Sequence, residues 1–586
     1  MLLCVGLPMA GLGGSLSSCS DFLEVEPQNI VTLDQFWNEE SDVTSSIAGC
    51  YSGMQRYDIL SRMMIWGEFR SDNVLNRGDI TKDINLQRVL EEDIVANNGY
   101  ADWAHFYNVI NRCNLILKYA PGVHEIDPSY NQGELNAHIA EATALRSLCY
   151  FYLIRTFRDV PYTDEAYIND AQEMMLPQTD FYTILHNLIN SLEEVKDLAV
   201  VYYPTSSTQG EYYQTGRITR SAIYAMLCEM YLWDQQYDKC IEYADKIVEF
   251  QKQYILEYTG EETDYSDYYG YPLYSAKIYQ GSSYYGKAFN RIFVRNNSLE
   301  TIFELSYVKD DENMLNNEPV GLFYGGTDHT GYVQPSEYIQ SQVQSSSSTL
   351  FLKNKYDGRR YENFLFNSGG EVQGINKYVV NYNSSLELPA PTTSNFYSGV
   401  GYWGSPYSVY TKDNNIVSEN KSNWIIYRLT DIMLLKAEAL AWSLEAPEGT
   451  LNEADEAKRT TIFQLCNATY KRSLYEDTYK DTLKYDDYKS KSALLDLVYD
   501  ERQRELMFEG KRYYDLVRRS MFEGNTDYLR SKCSQKSTEL SSNIDNFLQR
   551  MEAIFWPVLL DETKANPNLI QNPAFGSGES SSIEKS

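Results

Sequence analysis

Histidine is nearly missing from this chain: five occur in 586 residues, at positions 105, 124, 138, 186 and 329. None stands in an H-E-x-x-H spacing, which removes the helix-borne pair of zinc ligands that metalloproteases use. A G-x-S-x-G elbow and a phosphate-cradling G-x-x-x-x-G-K-S/T are absent as well, so triad hydrolysis and nucleotide binding lack their usual scaffolds. Positive charge is short, with 51 Lys and Arg facing 82 Asp and Glu, a formal charge of −31. Such a chain repels phosphate backbones and anionic lipid surfaces, and nucleic acid is not among its expected partners. No C-x-x-C occurs, and the nine cysteines lie scattered at 4, 19, 50, 113, 149, 228, 240, 466 and 533. Cys149, Cys228 and Cys466 fall inside apolar helical patterns, where cysteine behaves as a small buried hydrophobe. No structural disulfide, metal site or cofactor is expected. A glycoside hydrolase needs only two apposed carboxylates, and 82 acidic residues leave that alternative open.

What is abundant is aromatic. The chain carries 51 Tyr, 22 Phe and 8 Trp, too many for an acidic disordered protein, and a folded globule follows. The first residues, MLLCVGLPMAGLGGSLSSC, are apolar and small, too short and Gly-rich to span a bilayer stably. Residues 1–18 therefore read as a secretory leader, although no Lys or Arg precedes the apolar stretch. Leu16-Ser17-Ser18-Cys19 resembles the lipobox of bacterial lipoproteins. Cys19 would carry the lipid, because its thiolate is the nucleophile that takes a diacylglyceryl group and several acyl chains make attachment durable.

Residues 19–40 read as the lipidated Cys and an extended tether. Apolar residues then recur at helical spacing from about 36 to 65, 101 to 120 and 134 to 158. The clearest unit is 216–248, where Tyr224, Leu227, Cys228 and Tyr231 follow the spacing of a tetratricopeptide first helix and Cys240 takes the small position of the second. Residues 41–250 form an N-terminal helical part on this reading. Over 251–420 the periodicity fades into Gly-, Ser-, Asn- and Tyr-rich segments, a loop-rich insertion lobe with minor β-structure. Helices return over 421–575, predicted at 423–442 and 492–519, before a Ser-rich tail at 576–586. The fold class is mostly α: a superhelix of tetratricopeptide-like helix pairs drawn from both ends of the chain. In the 501–519 segment charged and apolar stripes run side by side at one-turn spacing, and Glu505, Glu509, Arg512 and Asp515 are expected to join helices through ion pairs.

Several segments together carry a family resemblance. They are E141-ATALRSLCYFYLIRTFRDVP-Y162, G216-RITRSAIYAMLCEMYL, R428-LTDIMLLKAEAL, E501-RQRELMFEGKRYYDLVRR and the ending W556-PVLLDETKANPNLIQNPAF. With Ser20-Asp21-Phe22-Leu23 and W66-GEFRSDN they resemble the SusD/RagB family of outer-membrane nutrient-binding lipoproteins from residue 19 to about 575. The resemblance implies a non-enzymatic receptor at the cell surface, lipid-anchored, that captures glycans and works with a TonB-dependent porin of the SusC type. In some such relatives the ligand is a peptide, which stands as the second reading.

A sugar offers weakly apolar C–H faces and a polar rim, so its site needs flat aromatic rings beside groups that bond hydroxyls. F396-YSGVGYWGSPY is the foremost candidate, since Gly399, Gly401 and Gly404 leave Tyr402 and Trp403 uncovered. Tyr269 and Tyr271 beside Gly270, Tyr285, and Tyr324 and Tyr332 among Gly325, Gly326 and Gly331 could complete an aromatic arc. Arg70, Asp72 and Asn73 could supply polar contacts, or cap the following helix.

Overall fold

The computed structural model describes residues 36–576, apart from 79–81, 170, 204–207, 258–264, 275–286, 295, 308–315, 327–328, 353–356, 367–370, 383–406, 410–419, 421, 446–451 and 475–482. The chain is mostly helical. Its spine is the Gln132–Phe157 helix, started by a capping box in which Asn131 Oδ1 accepts from the Gly133 and Glu134 amides (2.9 and 3.1 Å). From Ala140 to Phe157 every residue is buried, because the helix is enclosed by Glu40–Met54, Ala104–Ile126 and Phe181–Val195. The Arg220–Trp233 and Tyr237–Glu257 helices form an antiparallel pair of the expected kind. Leu227, Cys228, Cys240 and Ala244 are fully buried at its seam, where small side chains let the backbones approach.

The two ends of the chain share this architecture. Tyr237–Glu257 packs on Leu429–Trp442, which in turn packs on Glu453–Arg472 and Lys491–Leu506. Strands are minor: among the described residues they form seven two-stranded antiparallel pairs. All seven described cysteines, Cys50, Cys113, Cys149, Cys228, Cys240, Cys466 and Cys533, are buried and free.

Two predicted helices are shorter than the periodicity suggests. The one read over 423–442 begins at Leu429. Its first residues, Trp424–Arg428, are instead a strand paired with Thr301–Leu305, and both are buried throughout. An aromatic and β-branched run flanked by another of the same kind prefers a buried ladder to a helical turn. The segment read over 492–519 breaks after Leu506 and resumes at Arg512. Phe508 (φ 68°) and Gly510 (φ 71°) turn the chain in between, and a Cβ on Gly510 would stand 3.0 Å from Trp424. Across that turn lies Gly67, where a Cβ would fall 1.9 Å from the Gly510 carbonyl oxygen. Two glycines thus let the backbones of the 66–73 and 505–512 segments touch.

Around this contact sits a buried ionic core. Glu501 meets Arg359 (2.7 Å) and Arg504 (2.9 Å), and Glu505 meets Arg428 (2.7 Å), Arg359 (3.1 Å) and Arg472. Glu509 meets Lys377 (2.6 Å) and Arg428 (2.8 Å). A second cluster joins Arg502 to Asp515 (2.9 Å) and Asp431 (3.0 Å), and Arg512 to Asp72 (2.8 Å). The ion pairs expected of Glu505, Glu509, Arg512 and Asp515 are therefore formed, and they reach beyond neighbouring helices into the middle of the chain. Burial pushes the Glu505 carboxyl up, but Arg472, Arg428 and Arg359 together hold it well below the ordinary carboxylate range. Burial likewise opposes Lys511 and Arg502 at Asp431, which is held down at about 2.

Removing one partner of such a cluster leaves a buried charge unmatched. Glu505→Gln is expected to lower unfolding free energy in urea by about 3–5 kcal/mol. Lys239→Ala, which breaks only the exposed Lys239–Glu242 pair, should leave it nearly unchanged. Equal losses in the two variants would contradict a scaffold held by its buried charges.

Two buried groups outside these clusters set a pH dependence with opposing signs. Burial pushes the Glu68 carboxyl from 4.5 up to about 7, although Asn73 and the Phe508 and Gly510 amides donate to it. Between those pH values the folded chain holds a proton that the unfolded chain has released, so stability falls as pH rises. Burial and Arg217 push the His138 ring from 6.5 down to about 4. The unfolded chain takes up that proton first, so stability falls as pH drops through this window. The two slopes offset each other between roughly pH 4.5 and 6.5. His138→Gln should expose the Glu68 slope: relative to the parent, the variant gains on the order of 2–3 kcal/mol as pH falls from 6.5 to 4. A stability difference that does not vary with pH would refute the assignment.

Candidate functional site

The polar residues that follow Trp66 do not reach the surface. Arg70 is fully buried, with its guanidinium on Glu92 (2.8 Å) and on the Ile554 and Ala553 carbonyls (3.0 and 2.8 Å). Asp72 accepts from Arg512 (2.8 and 3.0 Å) and from Gln503 (2.9 Å). Asn73 donates to Glu68 (2.7 Å) and accepts from Gln503 (2.9 Å). Their hydrogen-bonding capacity is taken up inside the scaffold, by Glu68 and Glu92 nearby and by Gln503, Arg512 and the 553–554 carbonyls of the C-terminal part, which corrects their reading as ligand contacts. They fasten the start of the chain to its end. The helix-cap alternative fails too, since Asp83 caps the next helix, Ile84–Leu90.

The aromatic candidates divide. Tyr402, Trp403 and Tyr285 lie outside the described residues, as does Cys19. Tyr324 is 1% exposed, its hydroxyl donates to the Phe508 carbonyl (3.0 Å), and its ring meets Phe69 and Phe508. It is a core residue, which corrects its reading as a stacking platform. Tyr269 stands at the tip of the Tyr265–Tyr268 and Tyr271–Tyr274 hairpin, left-handed at φ 57° before Gly270, and is 41% exposed. Its hydroxyl accepts from Asn467 (2.8 Å) and Lys471 (2.7 Å), so the tip leans on the Glu453–Arg472 helix. Tyr271 is half-buried near Lys252.

Tyr332 remains, and sequence reasoning missed its company. Its ring is half-buried, and its backbone is held by the Leu322 carbonyl and the Arg77 amide (3.1 and 3.0 Å). Its hydroxyl lies within electrostatic range of Tyr57, the first residue of the Tyr57–Met64 helix, whose own hydroxyl hydrogen-bonds Tyr100 and lies near Asp83 and Glu318. Tyr100 belongs to a single 3₁₀ turn, Gly99–Ala101, capped by Asn98. Its hydroxyl donates to Asp83 Oδ2 (2.6 Å), while Asp83 Oδ1 accepts from the Asn85 and Leu86 amides (2.9 and 3.1 Å). One carboxylate thus starts a helix and orients a tyrosine. Burial pushes the Tyr57 and Tyr100 hydroxyls up, so both keep their protons at neutral pH. Glu318 is exposed beside them.

Three half-buried tyrosines with two carboxylates make flat apolar faces next to strong acceptors. That arrangement suits a ring that presents C–H groups on its face and O–H groups on its rim. The sequence signal was weak, because Tyr57, Asp83, Tyr100, Glu318 and Tyr332 come from five separate segments. Among the described residues no group of His, Cys, Asp and Glu is placed to hold a metal ion, and no helix is long and apolar enough to cross a membrane.

Comparison with known proteins bears on the same segments. SusD-like protein P38 of Formosa agariphila is 24% identical, covering 95% of this chain and 96% of its own, and SusD-like protein P25 of that organism is 22% identical over 96% and 97%. A SusD superfamily structure from Bacteroides thetaiotaomicron superposes with a TM-score of 0.61 at 21% identity, covering 92% of this chain and 99% of its own. A laminarin-binding SusD-like protein superposes at 0.58 and 16% identity, covering 92% and 100%. A family model for starch-binding proteins associating with the outer membrane matches residues 21–232. The model of the SusD family matches residues 248–575, more than half of the sequence and every residue named in the ionic core except Asp72, and the chain belongs to that family.

Proposed function

We propose that this protein binds a neutral glycan at the surface formed by Tyr57, Tyr100 and Tyr332 with Asp83 and Glu318, without cleaving it. The observation that carries the reading is the cluster itself: half-buried rings held by capped short elements beside an anchored carboxylate. Membership of the SusD family and a structural neighbour that binds laminarin support the ligand class. On this proposal Trp403, which the sequence places between the antiparallel Val380–Tyr382 and Tyr407–Val409 strands, also stacks on the glycan. Cys19 carries the lipid, the protein sits at the outer-membrane surface, and the glycan passes to a SusC-like TonB-dependent porin. The description of the family model matched by residues 21–232 favours that location.

A glycan array, run beside a peptide library, selects the ligand for titration calorimetry. Tyr332→Ala and Trp403→Ala are each expected to weaken that ligand by about 1–2 kcal/mol, roughly ten-fold, while the urea midpoint shifts little. Unchanged affinity in both would move the site elsewhere, binding confined to peptides would replace the ligand class, and shortened sugars in the cell would establish a hydrolase. For the anchor, Cys19→Ala should abolish labelling by a radioactive fatty acid; retained label would refute it.

A further inference from the structure

Apart from the tyrosine cluster, a cavity of about 250 Å³ opens between the Thr208–Gly216 helix, the Tyr237–Glu257 helix and the turn that enters the Thr301–Leu305 strand. Two observations set it apart from a packing gap. The first is its lining. Thr215, Gln251, Ser298 and Thr301 are at most 4% exposed, yet all line the cavity. Polar groups shielded from bulk water need a partner, and the Thr301 hydroxyl has none among the described residues.

The second is the turn that frames it. Asn296 and Asn297 are consecutive non-glycine residues in the left-handed region, at φ 59° and 48°. The conformation is held from three sides: Asn296 Oδ1 accepts from the Asn423 amide (2.9 Å), the Asn297 amide donates to Glu304 (2.9 Å), and Asn297 Oδ1 accepts from the Thr215 hydroxyl (2.9 Å). Backbone strain kept in place by several contacts is characteristic of ligand clamps.

The chemistry of the walls selects a ligand. Phe250 and Tyr254, one helical turn apart, stack with ring planes 10° apart and centroids 5.9 Å apart, and this parallel aromatic pair lines the cavity. Around them stand amides and hydroxyls, which both donate and accept, and Arg291 is the one charged residue among the described lining. The volume lies just below the roughly 300–1,000 Å³ of drug-sized sites, which fits one ring rather than a chain of them. We infer that this cavity is a second binding site, for a single neutral hexose unit, free or at the end of a glycan. The inference does not use the tyrosine cluster and stands or falls separately from it.

Saturation-transfer NMR and calorimetry with D-glucose, D-galactose and D-mannose test it on the full chain. At least one hexose should bind the parent and Tyr332→Ala alike. Gln251→Leu and Phe250→Ala should each weaken it by at least roughly five-fold. Thr301→Val removes a hydroxyl that no described group uses, so it should fold with an unchanged or raised urea midpoint and still weaken the hexose. The site is overturned if none of the three sugars saturates the parent, which leaves a water-filled cavity. It is also overturned if Thr301→Val and Gln251→Leu bind as the parent does, or if Tyr332→Ala alone removes binding, which would assign the hexose to the tyrosine surface.

Discussion

A carboxylate shut away from water must find cations with matching geometry, and Glu505 finds three. Arg359, Arg428 and Arg472 come from three places in the chain. Arg359 lies in the middle region, Arg428 ends the buried Trp424–Arg428 strand and Arg472 ends the Glu453–Arg472 helix. None of the three can shift without exposing the others to an unmatched charge, so the cluster fixes the relative placement of strand, helix and loop together. Hydrophobic burial alone would tolerate sliding; charge-assisted guanidinium–carboxylate hydrogen bonds are directional and do not.

The same requirement explains the approach of the two glycines. Glu68 accepts from the Phe508 and Gly510 amides, Asp72 takes Arg512, and Asn73 meets Gln503. For those side chains to reach, the 66–73 and 505–512 backbones must be in contact, and a Cβ at Gly67 or Gly510 would push them apart. W66-GEFRSDN and E501-RQRELMFEGKR are thus two halves of one joint. Their residue types serve the scaffold, and the tyrosine surface proposed for the ligand lies on the elements that the joint positions.

This division governs what was legible in the sequence. The stripe of Glu505, Glu509, Arg512 and Asp515 could be read as ion-pairing because helical periodicity is local. Arg359 and Lys377 could not be named as partners, because no local rule links residues so far apart in the chain. Buried polar residues mislead in the same way: Arg70, Asp72 and Asn73 look like surface contacts until their C-terminal partners are known. The strand at Trp424–Arg428 was absorbed into a helix because its apolar run satisfies either period, and its pairing with Thr301–Leu305 is nonlocal. Among the candidate ligand residues, glycine flanks picked out Tyr332 but said nothing of Tyr57 or Tyr100, whose neighbours in sequence are ordinary helix and turn residues.

The tyrosine surface draws its rigidity from the joint beneath it. Trp66 donates its indole N–H to the Tyr100 carbonyl (2.9 Å), and Arg62 donates to the Asp102 and Gly99 carbonyls (2.6 and 3.0 Å). The 3₁₀ turn that presents Tyr100 is therefore clamped by the helix that leads into Gly67, and Asp83 holds the tyrosine hydroxyl from the other side. Rings fixed in this way lose little conformational freedom when a ligand settles on them, so less of the interaction is spent on ordering. Short elements with few residues of their own can be rigid here because their backbone carbonyls are taken up by buried side chains of the scaffold. A substitution in the joint would thus loosen the proposed ligand surface without touching it.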